Sequence, residues 1–467
     1  MPRPASGTRR RQRRTGTADS ARRAAYDVVH AVSARDAYAN LTLASILRER
    51  DLSGQDAAFA TELVGGTLRW RGGYDDVLAR CVNRPLPDLD PEVLDVLRIG
   101  THQLLGMRVP AHAAVATSVD LGRDVAGGGA SKFVNAVLRK VATRDLAGWL
   151  AMAAPAYDVD PVGHLAAVHA HPRWIVEAFR AALDGSLDET AAALAADNAP
   201  ARVTLVARPG RCTVDELRRD GAGPARWSPY AAILEAGDPR RIRAVAQGRA
   251  GVQDEGSQLV ALALAGVPLN GAGTGTDSRW LDMCAGPGGK AALLAGLAAE
   301  RGARLLAADL QPHRAAMVNR ALSGGAGVLG TVVADGTAGP WRDGTFDRVL
   351  LDAPCSGLGA LRRRPEARWR RSAGDPAELR PLQIRLLDAA LDAVRIGGVV
   401  GYATCSPHLT ETREVVATVL RDRGDVERVD ARPYLPGVPD LGEGPDLTLW
   451  PHRHGTDAMY LTLLRRT

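Results

Sequence analysis

The sequence predicts a multidomain protein with an all-α N-terminal domain, a small α+β lobe, and an α/β domain built on a mostly parallel, Rossmann-like sheet. Three patterns support this prediction. Apolar residues recur at helical spacing from Ser20 to Arg144. Short strands and turns begin near Asn198. After Arg279, strand-like apolar runs alternate with helical segments, as in parallel sheets with crossover helices.

The same patterns divide the chain into five segments. Residues 1–19 form an arginine-rich tail whose Pro, Gly, Ser and Thr content predicts disorder. The predicted segments that follow are a helical domain (20–145), a helical linker (146–197), the α+β lobe (198–275) and the α/β domain (276–467). A loop rich in Gly, Asn and Thr, from Asn270 to Ser278, is predicted just before the first strand of the α/β domain.

The N-terminal domain is predicted to be helical throughout. Its predicted helices cover residues 21–50, 56–71, 73–81, 90–105, 113–125 and 131–141. The last of these places Phe133, Val134, Val137 and Leu138 on one stripe. In the lobe, strands are predicted over 202–208 and 226–234.

Carboxylates stand at the ends of three successive strands in the α/β domain. The runs 304–308, 330–334 and 346–352 end at Asp309, Asp335 and Asp352. A single aspartate at such a position commonly caps the next helix. Three of them at the carboxyl edge of one sheet predict a ligand site, with a ribose and an adenine as the groups that they would hold.

A glycine-rich loop separates the first strand of this domain from its first helix. Residues 284–290 read Cys-Ala-Gly-Pro-Gly-Gly-Lys, and a helical run follows at 291–297. Glycines let a ligand approach the backbone closely, and a helix N-terminus favours a carboxylate or phosphate. The spacing matches neither the dinucleotide fingerprint nor the P-loop, so the loop alone leaves its ligand open.

Two cysteines follow strand-like runs. Cys355 lies just after the strand at 346–352, and Cys405 ends the run at 397–404. Most cysteines are small buried apolar residues, and we interpret Cys81 and Cys212 in this way. For Cys355 and Cys405, the neighbouring glycine loop and carboxylates favour thiol chemistry at the ligand-binding edge of the sheet.

An arginine-rich stretch follows Cys355. It comprises Arg362, Arg363, Arg364, Arg368, Arg370 and Arg371 around Trp369. Two interpretations remain open from the sequence: a solvated charged face, or a surface that binds phosphates and raises the thiolate fraction of the nearby cysteine.

Composition agrees with a nucleic-acid-binding protein of a reducing compartment. The chain has 467 residues, of which 46% are hydrophobic, and 59 Lys and Arg against 53 Asp and Glu give a net charge of +6. This bias is compatible with RNA without identifying it. Five cysteines argue against a disulfide framework and for the cytoplasm. We expect no membrane span, signal peptide or metal site.

Together, the motifs resemble the RNA cytosine carbon-5 methyltransferases of the Nop/Sun type, and within them the bacterial RsmB (Sun, Fmu) branch. The resemblance rests on the loop at 284–290, Asp-Ala-Pro-Cys-Ser-Gly at 352–357 and Thr-Cys-Ser at 404–406. The loop departs from the usual family pattern at Gly286, where Ala is common, and at Ala291, where Thr often follows the Lys.

The resemblance implies S-adenosylmethionine as cofactor, with Asp309 at the ribose, Asp335 near the adenine, and Asp352 between the methionine end and the target base. The loop residues implied to bind it are Cys284, Ala285, Gly286, Pro287, Gly288, Gly289 and Lys290. The resemblance also implies that Cys405 is the nucleophile, that Cys355 assists release of the product, and that Asp352 contacts the cytosine. DNA cytosine methyltransferases use a Pro-Cys nucleophile, so the spacing alone would not decide between the two thiols.

The helical N-terminal domain resembles the NusB-like RNA-binding domain of the same branch, notably at 132–139. This implies an RNA partner, with 16S rRNA or a small-subunit assembly intermediate favoured, and a chain acting as a monomer without DNA. Proposed phosphate contacts are Arg22, Arg23, Lys132, Arg139 and Lys140. The alternatives are a tRNA cytosine methyltransferase, a non-catalytic RNA-binding assembly or transcription factor, and a nucleotide-dependent oxidoreductase.

Overall fold

The first part of the chain folds into helices that share one apolar core. The computed structural model describes residues 19–270 and 277–467, and the chain divides into one unit ending at Ala154 and a second beginning at Pro155. Residues 1–18 of the predicted disordered tail at 1–19 lie outside the described residues, as do residues 271–276 of the predicted loop. The helices of the first unit are α1 (Ser20–Arg35), α2 (Ala39–Glu49), α3 (Gly54–Arg69), α4 (Arg71–Cys81), α5 (Pro91–Leu105), α6 (Ala111–Ala126), α7 (Gly128–Val141) and α8 (Leu146–Ala153).

One predicted helix of this unit is two helices. The run at 21–50 breaks after α1, because Asp36 adopts a left-handed conformation with φ of 52° and the chain turns before α2 begins. The start of α1 follows the capping rule, since the Asp19 side chain accepts a hydrogen bond from the Arg22 N–H at 2.8 Å. The prediction of one continuous helix was therefore wrong, although both halves are helical.

Helix α8 belongs with the first unit. It falls within the predicted linker, but the Trp149 indole is buried in the same core as Leu63 and Leu97. The Trp149 ring N–H also donates to the Val141 carbonyl at 2.9 Å, which ties α8 to the end of α7. Asp145 caps the helix by accepting from the Gly148 N–H.

The second unit opens with helices and a small antiparallel sheet. Its first elements are α9 (Pro161–Val168), α10 (Arg173–Ala182), α11 (Leu187–Asp197), β1 (Val203–Ala207), α12 (Val214–Arg219), β2 (Gly223–Pro224), β3 (Ala231–Leu234), α13 (Arg243–Ala246) and β4 (Ala250–Val252). The strand order is β2-β3-β1-β4. The predicted strand at 226–234 is shorter than expected, because the N–H groups of Trp227 and Ser228 donate to the Glu255 carboxylate instead of to a neighbouring strand.

The α/β part of this unit follows. Its elements are α14 (Glu255–Gly266), β5 (Arg279–Asp282), α15 (Gly289–Ala299), β6 (Arg304–Asp309), α16 (Pro312–Leu322), β7 (Val328–Val333), β8 (Phe346–Asp352), α17 (Ala367–Arg370), α18 (Asp375–Ala393), β9 (Val394–Thr404), α19 (Arg413–Asp422), β10 (Val426–Val429), β11 (Leu447–Leu449), α20 (Pro451–His454) and β12 (Met459–Arg466). Helix α14, within the predicted lobe, packs on the main sheet through Leu264.

The main sheet is mostly parallel, as predicted. Its strand order is β10-β12-β9-β8-β5-β6-β7, with β11 paired to β12. Strands β5 to β9 pair in parallel, whereas β10, β11 and β12 pair antiparallel. Apolar side chains cover both faces, with Leu293 of α15 in one core and Leu387 of α18 in the other.

The topology marks one place for a ligand. From β5 the chain proceeds to β6 and β7 on one side, and then to β8 and β9 on the other. The neighbours β5 and β8 therefore flank the point where the strand order reverses, and open α/β sheets bind ligands outside the carboxyl ends of the strands at such a point. Asp282 ends β5 and Asp352 ends β8.

Candidate active site

The glycine loop lies directly over the carboxyl ends of β5 and β6. The Gly286 N–H donates to an Asp309 carboxylate oxygen at 2.9 Å, and Arg314 donates to the Gly286 carbonyl at 2.6 Å. A Cβ at Gly286 would lie 2.4 Å from that Asp309 oxygen. Gly288 has φ of 108° and a Cβ there would lie 2.8 Å from the Ala321 Cβ, so Gly288 requires glycine, whereas an alanine at Gly286 would only have to displace the Asp309 and Arg314 side chains.

Asp309 and Asp335, two strand-end carboxylates of the predicted cofactor site, lie in different environments. Asp309 is buried, and its second oxygen accepts from the Gln311 N–H. Asp335 is exposed and caps a 3-10 turn by accepting from the N–H and hydroxyl of Thr337, whose N–H lowers the pKa of this carboxyl. Leu310, next to Asp309, is 58% exposed and presents an apolar surface at the same edge.

The two predicted reactive cysteines lie side by side. Asp352 of β8 is in register with Ala403 of β9, so the loops that follow these strands leave the sheet together. The Cys355 and Cys405 sulfur atoms are 3.5 Å apart, within hydrogen-bond distance for two thiols. The structure therefore brings together two residues that are fifty positions apart in the chain.

The environment separates the two thiols chemically. The hydrogen bond from Cys355 lowers the pKa of Cys405 and outweighs burial and the charge of Asp352, with the Lys290 ammonium helping. The same hydrogen bond raises the pKa of Cys355 well above its ordinary value, together with burial and nearby negative charges. Of the two thiols, Cys405 is therefore the one that ionises more readily.

Lys290 and Asp352 form an ion pair beside the thiols. The Lys290 ammonium, in the first turn of α15, donates to an Asp352 carboxylate oxygen at 2.8 Å. Burial alone would lower the pKa of Lys290, but the charge and hydrogen bond of Asp352 raise it above the usual value. The pair joins the glycine loop to the cysteine loop after β8.

The third cysteine of the region behaves differently. Burial raises the pKa of the Cys284 thiol, and the charges of Asp282, Asp352 and Asp309 raise it further. A thiol in this environment stays protonated and unreactive. The loop position of Cys284 agrees with the prediction of a cofactor-lining residue, whose role stays a prediction.

Asp282 is a candidate that sequence reasoning missed. Its side chain is fully buried, and neither of its carboxylate oxygens has a hydrogen-bond partner among the residues that the structure describes. Burial raises its pKa to about 8, and the charge of Asp352 adds to the effect. The nearby Cys284 N–H lowers the pKa slightly without meeting hydrogen-bond geometry. The signal was present in the sequence, since Asp282 ends its strand as Asp309 and Asp352 do.

The arginine stretch after Cys355 serves largely to hold the protein together. Arg368 is fully buried and donates to the Ala170 carbonyl and the Asn198 side chain. Arg363 makes a two-pronged ion pair with Asp457, and Arg371 donates to the Ser356 carbonyl at 3.0 Å. The hypothesis that Arg368 binds phosphate was wrong, because its guanidinium has no access to a ligand.

The proposed RNA contacts of the first unit differ in whether they already have partners within the protein. Arg22 donates to the Gln103 side chain and packs over the Phe59 ring, and the Lys140 ammonium lies 3.3 Å from the Cys81 carbonyl. Lys132, Arg139 and Lys140 are all exposed on α7. These three stay predicted phosphate contacts.

Among the residues that the structure describes, no helix is long and apolar enough to cross a membrane. Within that same part of the chain, no group of three or more His, Cys, Asp or Glu side chains is placed to hold a metal ion.

Comparison with known proteins identifies the family. Residues 274–465 match the family described as 16S rRNA methyltransferase RsmB/F, and residues 19–143 match the NusB family. Ribosomal RNA small subunit methyltransferase B of Pseudomonas putida is 35% identical over 377 residues, covering 78% of this chain and 81% of that protein. This chain belongs to the RsmB/F family. Its members are S-adenosylmethionine-dependent RNA methyltransferases, as the motifs implied.

Two further relatives show how far the likeness extends. The putative methyltransferase Rv1407 of Mycobacterium tuberculosis is 52% identical over 450 residues, covering 96% of this chain and 97% of that protein. The crystal structure of PH0851 has the same fold, with a TM-score of 0.78 and 22% identity over 96% of this chain and 98% of that one. The likeness therefore extends over 96% of this chain, across both of the regions that match a family.

The residues of this chain fit the RsmB/F cofactor. S-adenosylmethionine carries a positive sulfonium, and the buried carboxylate of Asp309 beside the loop has the opposite charge. Gly286 and Gly288 leave no Cβ over the loop, which lets a ligand reach the backbone. The N-terminus of α15 adds a favourable field for the carboxylate of a methionine group.

Proposed function

We propose that this chain methylates carbon-5 of a cytosine in 16S rRNA, with Cys405 as nucleophile. The observation that carries the proposal is the 3.5 Å thiol pair, in which the pKa of Cys405 is lowered and the pKa of Cys355 is raised. The rRNA part is supported by the names of the relatives, and the NusB-like unit supports an RNA partner.

Carbon-5 of cytosine is too electron-poor to take a methyl group without activation. A thiolate that adds to carbon-6 forms a sulfur–carbon bond and moves the ring electron pair to carbon-5. Cys405 suits this step because its thiol gives up a proton more readily than Cys355. Bound S-adenosylmethionine supplies the methyl group that carbon-5 then takes.

Asp352 and Lys290 act on the base. The Asp352 carboxylate is 28% exposed, so a base that enters between the strand ends can reach it. In our proposal Asp352 accepts a hydrogen bond from the exocyclic amine of cytosine. Thiolate addition makes the ring nitrogen more basic, and once that nitrogen has taken a proton from solvent Asp352 accepts from its N–H as well, which stabilises the charge distribution that develops. Lys290 orients the carboxylate through the 2.8 Å ion pair.

Cys355 assists release. After methylation the carbon-5 proton passes to solvent, the carbon-5 to carbon-6 double bond forms again, and the bond between Cys405 and carbon-6 breaks. The departing sulfur carries negative charge, and the Cys355 thiol lies where it can donate a hydrogen bond to it.

Cofactor contacts proposed for this chain are the loop 284–290, Asp309 at the ribose and Asp335 near the adenine.

The test compares Cys405→Ala with Cys355→Ala on unmethylated 16S rRNA and on tRNA. We expect no 5-methylcytosine and no adduct with Cys405→Ala, and a denaturation-resistant protein–RNA adduct with Cys355→Ala. The reverse pattern would make Cys355 the nucleophile. Product on tRNA alone would change the substrate and keep the chemistry. Absence of product from the wild-type protein, shown to bind the cofactor, would favour the non-catalytic alternative.

A further inference from the structure

One buried carboxylate joins the two loops that carry the cysteines. Glu411 has no solvent exposure and ends a 3-10 turn, Leu409–Glu411, between β9 and α19. A buried carboxylate is costly unless several donors satisfy it, so its partners indicate what it is placed to hold.

The partners of Glu411 are the serines that follow the two cysteines. The Ser356 N–H donates to one carboxylate oxygen at 2.6 Å, and the Ser356 hydroxyl donates to the other. The Ser406 hydroxyl donates to that second oxygen at 2.6 Å. The two serine hydroxyl oxygens lie 3.1 Å apart. Each cysteine is therefore one residue away from a group bound to the same carboxylate.

Glu411 is itself anchored to the rest of the domain. The Tyr402 hydroxyl of β9 donates to the Glu411 backbone carbonyl at 2.7 Å. The Gln383 amide of α18 donates to the Pro354 carbonyl at 2.9 Å and lies 3.4 Å from the Glu411 carboxylate. Tyr402 of β9 and Gln383 of α18 therefore help to fix the position of the cysteine loops without touching the reacting atoms.

We propose that Glu411 is a positioning residue that holds the Cys355 and Cys405 loops together and so sets the distance between the two thiols. This inference rests on the proposed function, because that reaction is what uses Cys355 and Cys405 together. The negative charge of Glu411 also increases the difference between the two thiols. It raises the pKa of Cys355, in addition to the thiol–thiol hydrogen bond and burial.

The first test measures the thiols without RNA or cofactor. Iodoacetamide alkylates thiolates, and peptide mass spectrometry gives its rate at each cysteine separately. In the wild-type protein we expect Cys405 to react much faster than Cys355. With Glu411→Ala the loops separate and the thiol–thiol hydrogen bond is lost, so the Cys405 to Cys355 rate ratio should fall at least about tenfold, one pKa unit.

Glu411→Gln separates position from charge. The amide keeps an acceptor oxygen for the Ser356 N–H but removes the negative charge, so a positioning role predicts that most of the rate ratio survives. A ratio as low in Glu411→Gln as in Glu411→Ala would show that charge alone matters and would overturn the proposal. An unchanged ratio in Glu411→Ala would overturn it as well.

Asp347→Ala is the matched control for loss of folding stability. Asp347 is a buried carboxylate that also accepts from two backbone groups, the N–H groups of Ser278 and Arg279 at 2.8 Å each, and it lies near the start of β8, at the other end of the strand from Asp352 and the Cys355 loop. We expect this variant to lower the unfolding temperature and leave the alkylation ratio as in the wild type. A ratio lowered equally by Asp347→Ala would reduce Glu411 to a general structural role.

The second test measures methyl transfer. At saturating RNA and S-adenosylmethionine, Glu411→Ala should lower the single-turnover rate about 100-fold, as expected when reacting groups are misplaced by about 1 Å, with little change in the KM for RNA. Glu411→Gln should recover part of this rate. Failure of the wild-type protein to methylate cytosine would end the proposed function, whereas the alkylation ratio would still decide the role of Glu411.

Discussion

Cys355 and Cys405 stand in nearly the same local setting and have opposite chemistry. Each follows the end of a parallel strand, and each precedes a serine bound to Glu411. Yet the pKa of Cys405 is lowered and that of Cys355 is raised. The hydrogen bond between the two thiols is the largest cause of both shifts, and the Lys290 ammonium adds to the lowering at Cys405 while the Glu411 carboxylate adds to the raising at Cys355. In this domain the strand ends bring the two thiols together, and their hydrogen bond, with charges from other elements, makes their acidities differ.

Removal of the Lys290 ammonium should weaken this difference. Lys290→Met takes away a positive charge that lowers the pKa of Cys405, so the thiolate should form only at higher pH. It also leaves Asp352 without its ion-pair partner. We expect the pH profile of Cys405 alkylation to move upward and methyl transfer at pH 7.5 to fall roughly 100-fold, the range of one misplaced catalytic group.

Lys290→Arg is the control for this variant, because it keeps a positive charge with a different shape. The alkylation profile should then stay closer to that of the wild type than with Lys290→Met. Cofactor affinity, measured by calorimetry, separates an effect on the thiol from one on the glycine loop. An unmoved profile in Lys290→Met would mean that Lys290 does not control the ionisation of Cys405.

Much of this site was predictable because its signals are local. A buried apolar run that ends in a small polar motif predicts both a strand and the edge of the sheet at which the motif lies. This places the loop after β5, Cys355 and Cys405 at one edge before any contact is known. The parallel sheet follows from the same alternation of strands and helices, and the family match agrees with both.

What the sequence did not indicate depends on tertiary contacts. Glu411 looks like an ordinary helix-start residue, and only the approach of two loops reveals its role. Arg368 lies in a charged run typical of a surface, yet it fills a buried site among carbonyls contributed by distant helices. The break at Asp36 is also hidden, because one left-handed residue interrupts a continuous helical pattern.

Neutralising Asp352 should separate the reactivity of the Cys405 thiol from the rate of methyl transfer. The Asp352 charge raises the pKa of Cys405, so Asp352→Asn should lower that pKa and speed Cys405 alkylation below pH 8. A shift of half a pKa unit would give about a threefold rate increase. Methyl transfer should nevertheless fall, because the proposed contact with the cytosine is weakened. Parallel loss of alkylation and methylation would contradict this assignment.

Asp282→Asn should affect the thiol pair least and the pH dependence of folding most. Burial raises the pKa of Asp282 to about 8, against about 3.9 in an unfolded chain. Between these values the folded protein holds a proton that the unfolded chain has released, so stability falls as pH rises from about 4 to about 8. Asp282→Asn removes this titration, and its stability should decline less across that window, by on the order of a few kcal/mol.

The measurement is the unfolding temperature of the cofactor-free protein at several pH values, with Asp335→Asn as control. Asp335 is an exposed strand-end carboxylate whose pKa is lowered, so its stabilising contribution is lost only as pH falls through its acidic range, and its variant should leave the decline between pH 5 and pH 8 unchanged. A wild-type decline identical to that of Asp282→Asn would show that Asp282 is ionised throughout. The alkylation ratio should match the wild type in both variants, because Asp282 acts on Cys284 and Lys290, whereas the hydrogen bond between Cys355 and Cys405 sets the contrast between those two thiols.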